Sequence, residues 1–132
     1  MAKKILVVDD EPDIRKLTSL RLKLSGYDAI TAADGQEALD SIRQNKPDLV
    51  LLDLLLPVIG GSEVCKQIKK DEVLKQTPVI LFTARSDTMS AEKAKQLGAD
   101  DYMTKPFDPE EMLNKIKQAL ELKATVNNQP QQ

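Results

Sequence analysis

Short apolar runs alternate along this chain with longer stretches whose apolar residues recur at helical spacing. The first run, Ile5-Leu6-Val7-Val8, stops at Asp9-Asp10. Pro12 then opens a helical stretch at its first turn, with Ile14, Leu17, Leu20 and Leu24 as the apolar stripe and Gly26 as the stop. A weaker strand is predicted over Ala29 to Ala32. Asp34 and Glu37 have capping-box spacing ahead of a helix carrying Ala38, Leu39 and Ile42. After Pro47, Leu49-Val50-Leu51-Leu52 runs apolar to Asp53. A loop from Leu54 to Gly61 follows, and Ser62 is placed to cap a helix with Val64, Cys65 and Ile68. Val79-Ile80-Leu81-Phe82 ends at Thr83, and Ala91, Ala94 and Leu97 mark a helix stopped by Gly98. A short strand near Asp101 to Thr104 ends at Lys105-Pro106. Asp108, Pro109 and Glu111 start a last helix, with Met112, Leu113, Ile116 and Leu120 on its inner face.

These are five strand–helix units. Strands joined by helical crossovers pair in parallel, with helices on both faces. The unbroken apolar runs of strands one, three and four suit central strands buried on both sides. Right-handed crossovers onto both faces require a switch point, and the flavodoxin-like order 2-1-3-4-5 puts strands one and three side by side there. The expected fold is α/β: a doubly wound, five-stranded parallel sheet with five flanking helices. Residues 1–123 read as one domain. Residues 124–132 are polar and read as a disordered tail or the start of a linker.

Composition narrows the chemistry. The 132 residues carry a net charge of -2, so no basic field points to direct contact with nucleic acid. With no histidine and one cysteine, Cys65, a disulfide within the chain is excluded and zinc or copper sites are disfavoured. Any metal here is held by oxygen. Cys65 reads as a small buried or half-buried apolar residue in a reducing compartment. No apolar run is long enough for a signal core or a membrane span, so a soluble, cytoplasmic protein with no membrane partner is expected.

Four of the five strands end the same way: an apolar run stops and a polar side chain appears, at Asp9-Asp10, Asp53, Thr83 and Lys105. In open α/β sheets the ligand site lies at these carboxyl ends, by the switch point. Taken singly, each has an ordinary explanation: capping for the acid pair, a turn for Asp53, strand propensity for Thr83, surface for Lys105. Their coincidence at four strand ends is the informative signal. Three carboxylates in one crevice repel, each pair by about 4 kcal/mol at about 4 Å and an effective dielectric near 20. A cation or a proton resolves this, and a hard divalent ion such as Mg²⁺ suits an all-oxygen set while keeping positions open for a phosphate. Lys105 adds a point charge and Thr83 a hydroxyl donor. Together they are the parts of a phosphoryl-transfer site with a carboxylate nucleophile.

The segments VVDDEP (through Asp9, Asp10 and Glu11), LLDLLLPVIGG (around Asp53), FTA (Phe82 to Ala84) and GADDYMTKPF (Gly98 to Phe107) resemble the receiver domains of bacterial response regulators. The likeness covers about residue 3 to residue 122. It implies that Asp53 is phosphorylated, with a histidine kinase or histidine phosphotransfer protein as partner. It implies a Mg²⁺ cofactor held by Asp10, Asp53 and the Leu55 backbone carbonyl, with Asp9 contributing mainly through water. Thr83, Ala84 and Lys105 would contact the phosphoryl group, Thr83 and Tyr102 would form the switch pair, and Lys105-Pro106 would be a cis bond. Such a protein is no enzyme beyond handling its own phosphoryl group. The chain departs from the family in its loop: relatives usually carry Asp where Gly60 stands. Leu55 and Arg85 fall where relatives vary and where the lifetime of the phosphoryl group is set.

Other readings fit less well. A flavodoxin needs a hydroxyl- and glycine-rich phosphate loop where this chain has Asp-Asp-Glu, and a nucleotide hydrolase needs GxxxxGK[ST], which is absent. A haloacid-dehalogenase-type phosphatase spaces its first two aspartates two apart, whereas Asp9 and Asp10 are adjacent. A pseudo-receiver would lack one of the key residues. The output is open: a downstream protein partner, a missing effector domain as in a transcription regulator, or a relay that passes the phosphoryl group on. The expected output face is helix four, strand five and helix five, where Lys93, Lys95, Asp101, Lys115 and Lys117 offer mixed charge for a phosphorylation-dependent homodimer.

Overall fold

The computed structural model describes residues 2–84, 91–105 and 108–128, and of Thr83, Ala84, Ala91 and residues 124–128 it describes the backbone. In chain order the elements are β1 (Lys4–Val8), α1 (Pro12–Leu24), β2 (Asp28–Ala32), α2 (Gly35–Asn45), β3 (Leu49–Asp53), α3 (Gly61–Lys70), β4 (Val79–Ala84), α4 (Ala91–Gln96), β5 (Asp101–Lys105) and α5 (Pro109–Asn128). The sheet is parallel throughout, in the order β2-β1-β3-β4-β5. The expected flavodoxin-like fold is the one observed.

Strand alternation sorts the core into two layers. Leu6, Val8, Val50, Leu52 and Leu81 pack against Ala38, Leu39 and Ile42 of α2, Val64, Cys65 and Ile68 of α3, and Ala94 of α4. Ile5, Val7, Leu49, Leu51, Ile80 and Phe82 pack against Leu22 of α1 and Met112 and Ile116 of α5. The central strands are therefore apolar from Ile5 to Val8, from Leu49 to Leu52 and from Val79 to Phe82, because both faces are covered there. Cys65 is fully buried, as read from the sequence, and its thiol donates to Leu97 O at 3.2 Å. Burial pushes that thiol up to about 11, which makes it unreactive.

Three local expectations are corrected. The apolar stripe of α1 does not face the sheet: Leu17, Leu20 and Leu24 are 55%, 53% and 78% exposed, while Thr18, Ser19 and Leu22 are buried. The helix turns the row Ile14, Thr18, Leu22 inward, and two small polar residues occupy the buried face. Ser62 is not a cap. Gly60 holds the N-cap position of α3, with no side-chain bond to the first turn, and Ser62 lies inside it. α5 also continues to Asn128, past residue 123, because no Gly or Pro interrupts it before Pro130. By contrast Asp34 caps α2 as expected, its Oδ1 accepting from the Glu37 amide at 2.8 Å.

Candidate functional site

The acid pair sits directly after β1. Asp9 is fully buried and Asp10 is exposed. The Asp9 amide donates to Ala32 O at 3.2 Å and the Asp9 Oδ1 accepts from the Glu11 amide at 2.9 Å. Asp53 ends β3, buried to 5% exposure, and its Oδ1 accepts from the Leu55 amide at 3.2 Å. Register explains the convergence: Val8 pairs with Leu52, so the residues that follow, Asp9 and Asp53, emerge together at the carboxyl ends.

Lys105, at the end of β5, spans the cluster. Its Nζ lies 3.0 Å from Asp53 Oδ2, 2.8 Å from Asp9 Oδ2 and 3.8 Å from Glu11 Oε1. Burial raises the Asp53 carboxyl above its ordinary range, against the hydrogen bond and charge of Lys105. Burial pulls the Lys105 ammonium down, but its hydrogen bonds and charge pairing with Asp9 and Asp53 outweigh this and leave it raised. The two side chains thus pair in a place that disfavours isolated charge.

A metal fits these residues. One carboxylate oxygen from each of Asp9, Asp10 and Asp53 lies within 4.8 Å of the others. Asp9 Oδ2 is buried, and among the described residues the Lys105 ammonium, at 2.8 Å, is what offsets its charge. An all-oxygen set of three carboxylates is the donor chemistry of Mg²⁺ rather than of a soft metal.

The structure thus brings Asp9, Asp10, Asp53 and Lys105 together. Leu55 is adjacent, its amide on Asp53 and its side chain 64% exposed. Thr83 pairs with Thr104 and Tyr102 with Leu81, so the two switch candidates lie on neighbouring strands two registers apart. Tyr102 is half-buried against the α2–α3–α4 layer. The side chains of Thr83 and Ala84, together with Arg85 and the Lys105-Pro106 bond, lie outside the described residues. On the expected output face, Asp101 and Lys115 pair with each other, Nζ to the two carboxylate oxygens at 3.0 and 3.1 Å. Sequence reasoning passed over Arg15, whose Nη1 donates to Asp9 O at 2.7 Å. Its signal was available: helical side chains tilt toward the N-terminus, so a long side chain in the first turn reaches back over the preceding loop.

The chain is similar to known proteins in both sequence and fold. Residues 5–117 match the family model for the response regulator receiver domain. The chain is 48% identical over 120 residues to the alkaline phosphatase synthesis transcriptional regulatory protein PhoP of Bacillus subtilis (strain 168), covering 91% of this chain and 49% of that protein. It therefore spans about half the length of that relative. Among solved structures, it resembles a CheY-like response regulator receiver domain protein from Methanospirillum hungatei JF-1 (TM-score 0.85, 31% identity, 96% of this chain and 99% of that one). It also resembles the chemotaxis response regulator CheY4 of Vibrio cholerae (TM-score 0.83, 33% identity, 90% and 99%).

Proposed function

This chain belongs to the response regulator receiver domain family, and from that membership we propose that it is a phosphorylation-activated switch whose phosphoryl acceptor is Asp53. The observation that carries the proposal is the state of that carboxylate. It is buried at the end of a central strand, held by Lys105 at 3.0 Å and flanked by Asp9 and Asp10. A histidine kinase or phosphotransfer protein is the donor the family implies. An Asp53 oxygen attacks phosphorus, the bond from phosphorus to the donor nitrogen breaks, and that nitrogen keeps the electron pair. Lys105 offsets the charge that gathers on the phosphoryl oxygens. Asp9, Asp10, Asp53 and the Leu55 carbonyl would hold Mg²⁺, which when bound offsets repulsion between carboxylate and phosphate. No enzymatic activity toward another substrate is proposed.

Output is proposed to run through Thr83 and Tyr102 to the face of α4, β5 and α5. Support comes from Tyr102 lying on β5 and packing, half-buried, beside α4. The relative of twice this length favours a second reading, in which the chain serves as the receiver half of a transcription regulator rather than as a relay carrier. The test of the central claim is intact mass after incubation with acetyl phosphate and Mg²⁺. Wild type gains one phosphoryl group, Asp53→Asn gains none, and EDTA suppresses the gain. Equal labelling of Asp53→Asn overturns the assignment.

A further inference from the structure

The Asp10 carboxylate is exposed, and among the described residues no side chain bonds it. Its position therefore depends on its backbone. The peptide group joining Asp9 to Asp10 is planar, so fixing the Asp9 carbonyl fixes the direction in which the chain enters Asp10. That carbonyl accepts from Arg15 Nη1 at 2.7 Å, across six residues and partly out of water. Arg15 is itself fixed by α1, its amide donating to Glu11 O at 3.0 Å. The other polar atoms of Asp9 are accounted for by Ala32 O, the Glu11 amide and Lys105.

We infer that Arg15 is a positioning residue for the metal site: by gripping the Asp9 carbonyl it presets Asp10 for Mg²⁺. This rests on the metal reading given above. A competing consequence of the same side chain is electrostatic, since a cation near three carboxylates lowers their attraction for a second cation. The two make opposite predictions. If geometry dominates, removing Arg15 weakens Mg²⁺ binding; if charge dominates, removal tightens it. Geometry should win because a charge-assisted bond at 2.7 Å acts on one defined peptide group, whereas the guanidinium charge is partly screened by solvent.

The experiment is a Mg²⁺ titration of the full chain followed by amide NMR, with wild type, Arg15→Met and Arg15→Lys. Arg15→Met should bind about tenfold more weakly, the usual loss when an outer-shell partner of a ligand is removed. Arg15→Lys keeps a donor and the charge on a different reach and should recover part of the loss. In EDTA the Glu11 amide of Arg15→Met should shift, because it reports on Asp9 Oδ1, while the unfolding temperature stays near wild type. Unchanged or tighter binding by Arg15→Met overturns the inference. Should Arg15→Met not fold, Arg15→Lys decides alone: it retains the charge, so weaker binding reports geometry and unchanged binding counts against it. A wild-type chain that binds no Mg²⁺ overturns the metal reading itself.

Discussion

The loop between β1 and α1 is residues 9–11 and the loop between β3 and α3 is residues 54–60, and both open onto the same carboxylate cluster. The first is fixed at Asp9: its amide, carbonyl and Oδ1 are hydrogen-bonded, and its Oδ2 faces Lys105. The second turns on Val58, which has φ +70°, with the Ile59 amide donating to Pro57 O at 2.9 Å. A three-residue closure about a positive φ has the hallmarks of the rare, strained γ-turn, and a β-branched residue there is an outlier. Strain of this kind is worth about 1–3 kcal/mol and persists only where the surroundings enforce it. What enforces it is α2: the Gly35 amide donates to Pro57 O at 3.3 Å, and the Ile59 carbonyl occupies the space a Gly35 side chain would need. The site thus has one preset wall, which supplies the acid pair, and one strained wall, which follows Asp53, the proposed phosphoryl acceptor. A switch benefits from that division, because strain already present lowers the cost of rearranging the loop that must respond.

The largest test of this contrast is Gly35→Ala. The added Cβ would overlap the Ile59 carbonyl, which is backbone and cannot rotate away. A loss of about 3 kcal/mol in urea unfolding is expected, the upper end for overpacking. The exposed Glu11→Ala in the other loop should change stability by less than about 0.5 kcal/mol. A tolerated Gly35→Ala would mean that α2 does not hold the strained loop.

Asp53→Asn comes next and acts in the opposite direction. The Asp53 carboxyl is raised in the folded state, chiefly by burial. A raised group contributes stability below its unfolded value and loses it as pH rises through the folded one, so the ionised Asp53 of wild type costs stability at neutral pH. Asp53→Asn in EDTA should therefore be more stable at pH 7, by about 1 kcal/mol, the usual scale of a single-site change. The difference should shrink toward zero below about pH 3, where the wild-type carboxyl is protonated in both states. Thermal unfolding of both proteins across that range checks the sign.

Much of this was legible in the sequence, for reasons that show where legibility stops. The apolar runs fixed β1, β3 and β4 because a strand buried on both faces leaves no polar position to mislead. Asp9, Asp10, Asp53 and Lys105 were readable because strand ends in a parallel sheet converge whatever the intervening helices do. The inward face of α1 was not: Leu17, Leu20 and Leu24 carry more apolar surface than Thr18 and Ser19, and only the sheet decides which row it covers. Gly60 as N-cap was missed because Ser62 is the stronger cap by side chain, yet the backbone enters α3 earlier. Val58 gave no signal, since nothing in its residue type asks for a positive φ.

Val58→Gly relieves that strain directly. Glycine adopts φ +70° without penalty but adds unfolded-chain entropy of about 0.5–1 kcal/mol, so the net gain is about 1 kcal/mol. The functional consequence sharpens the comparison. If the strain serves the switch, the relaxed loop should still label at Asp53 with acetyl phosphate, while the NMR shift changes that labelling causes beyond the loop become smaller. Identical shift changes in wild type and Val58→Gly would leave the strain with no part in signalling.

The smallest expected effect is at Gly60, where the resemblance drawn from the sequence leads one to expect Asp. Its backbone, φ -66° and ψ 156°, already has N-cap geometry, and a side chain added there meets nothing within 4 Å. Gly60→Asp should therefore let a carboxylate accept from the first turn of α3 and face the positive end of the helix. Relative to glycine that gain is only a few tenths of a kcal/mol. Against it stands the charge already nearby: the Gly61 amide donates to Leu54 O at 3.0 Å, so the start of α3 lies against the chain that leaves Asp53. A fourth carboxylate beside three is repelled, and salt screens that repulsion within about 10 Å at 0.1 M. The stabilisation by Gly60→Asp should accordingly be near zero in EDTA at low salt, and should emerge with added salt or with Mg²⁺. Urea unfolding under the three conditions measures it. A gain that is the same in all three would show that the strained wall is electrically separate from the acid pair it faces.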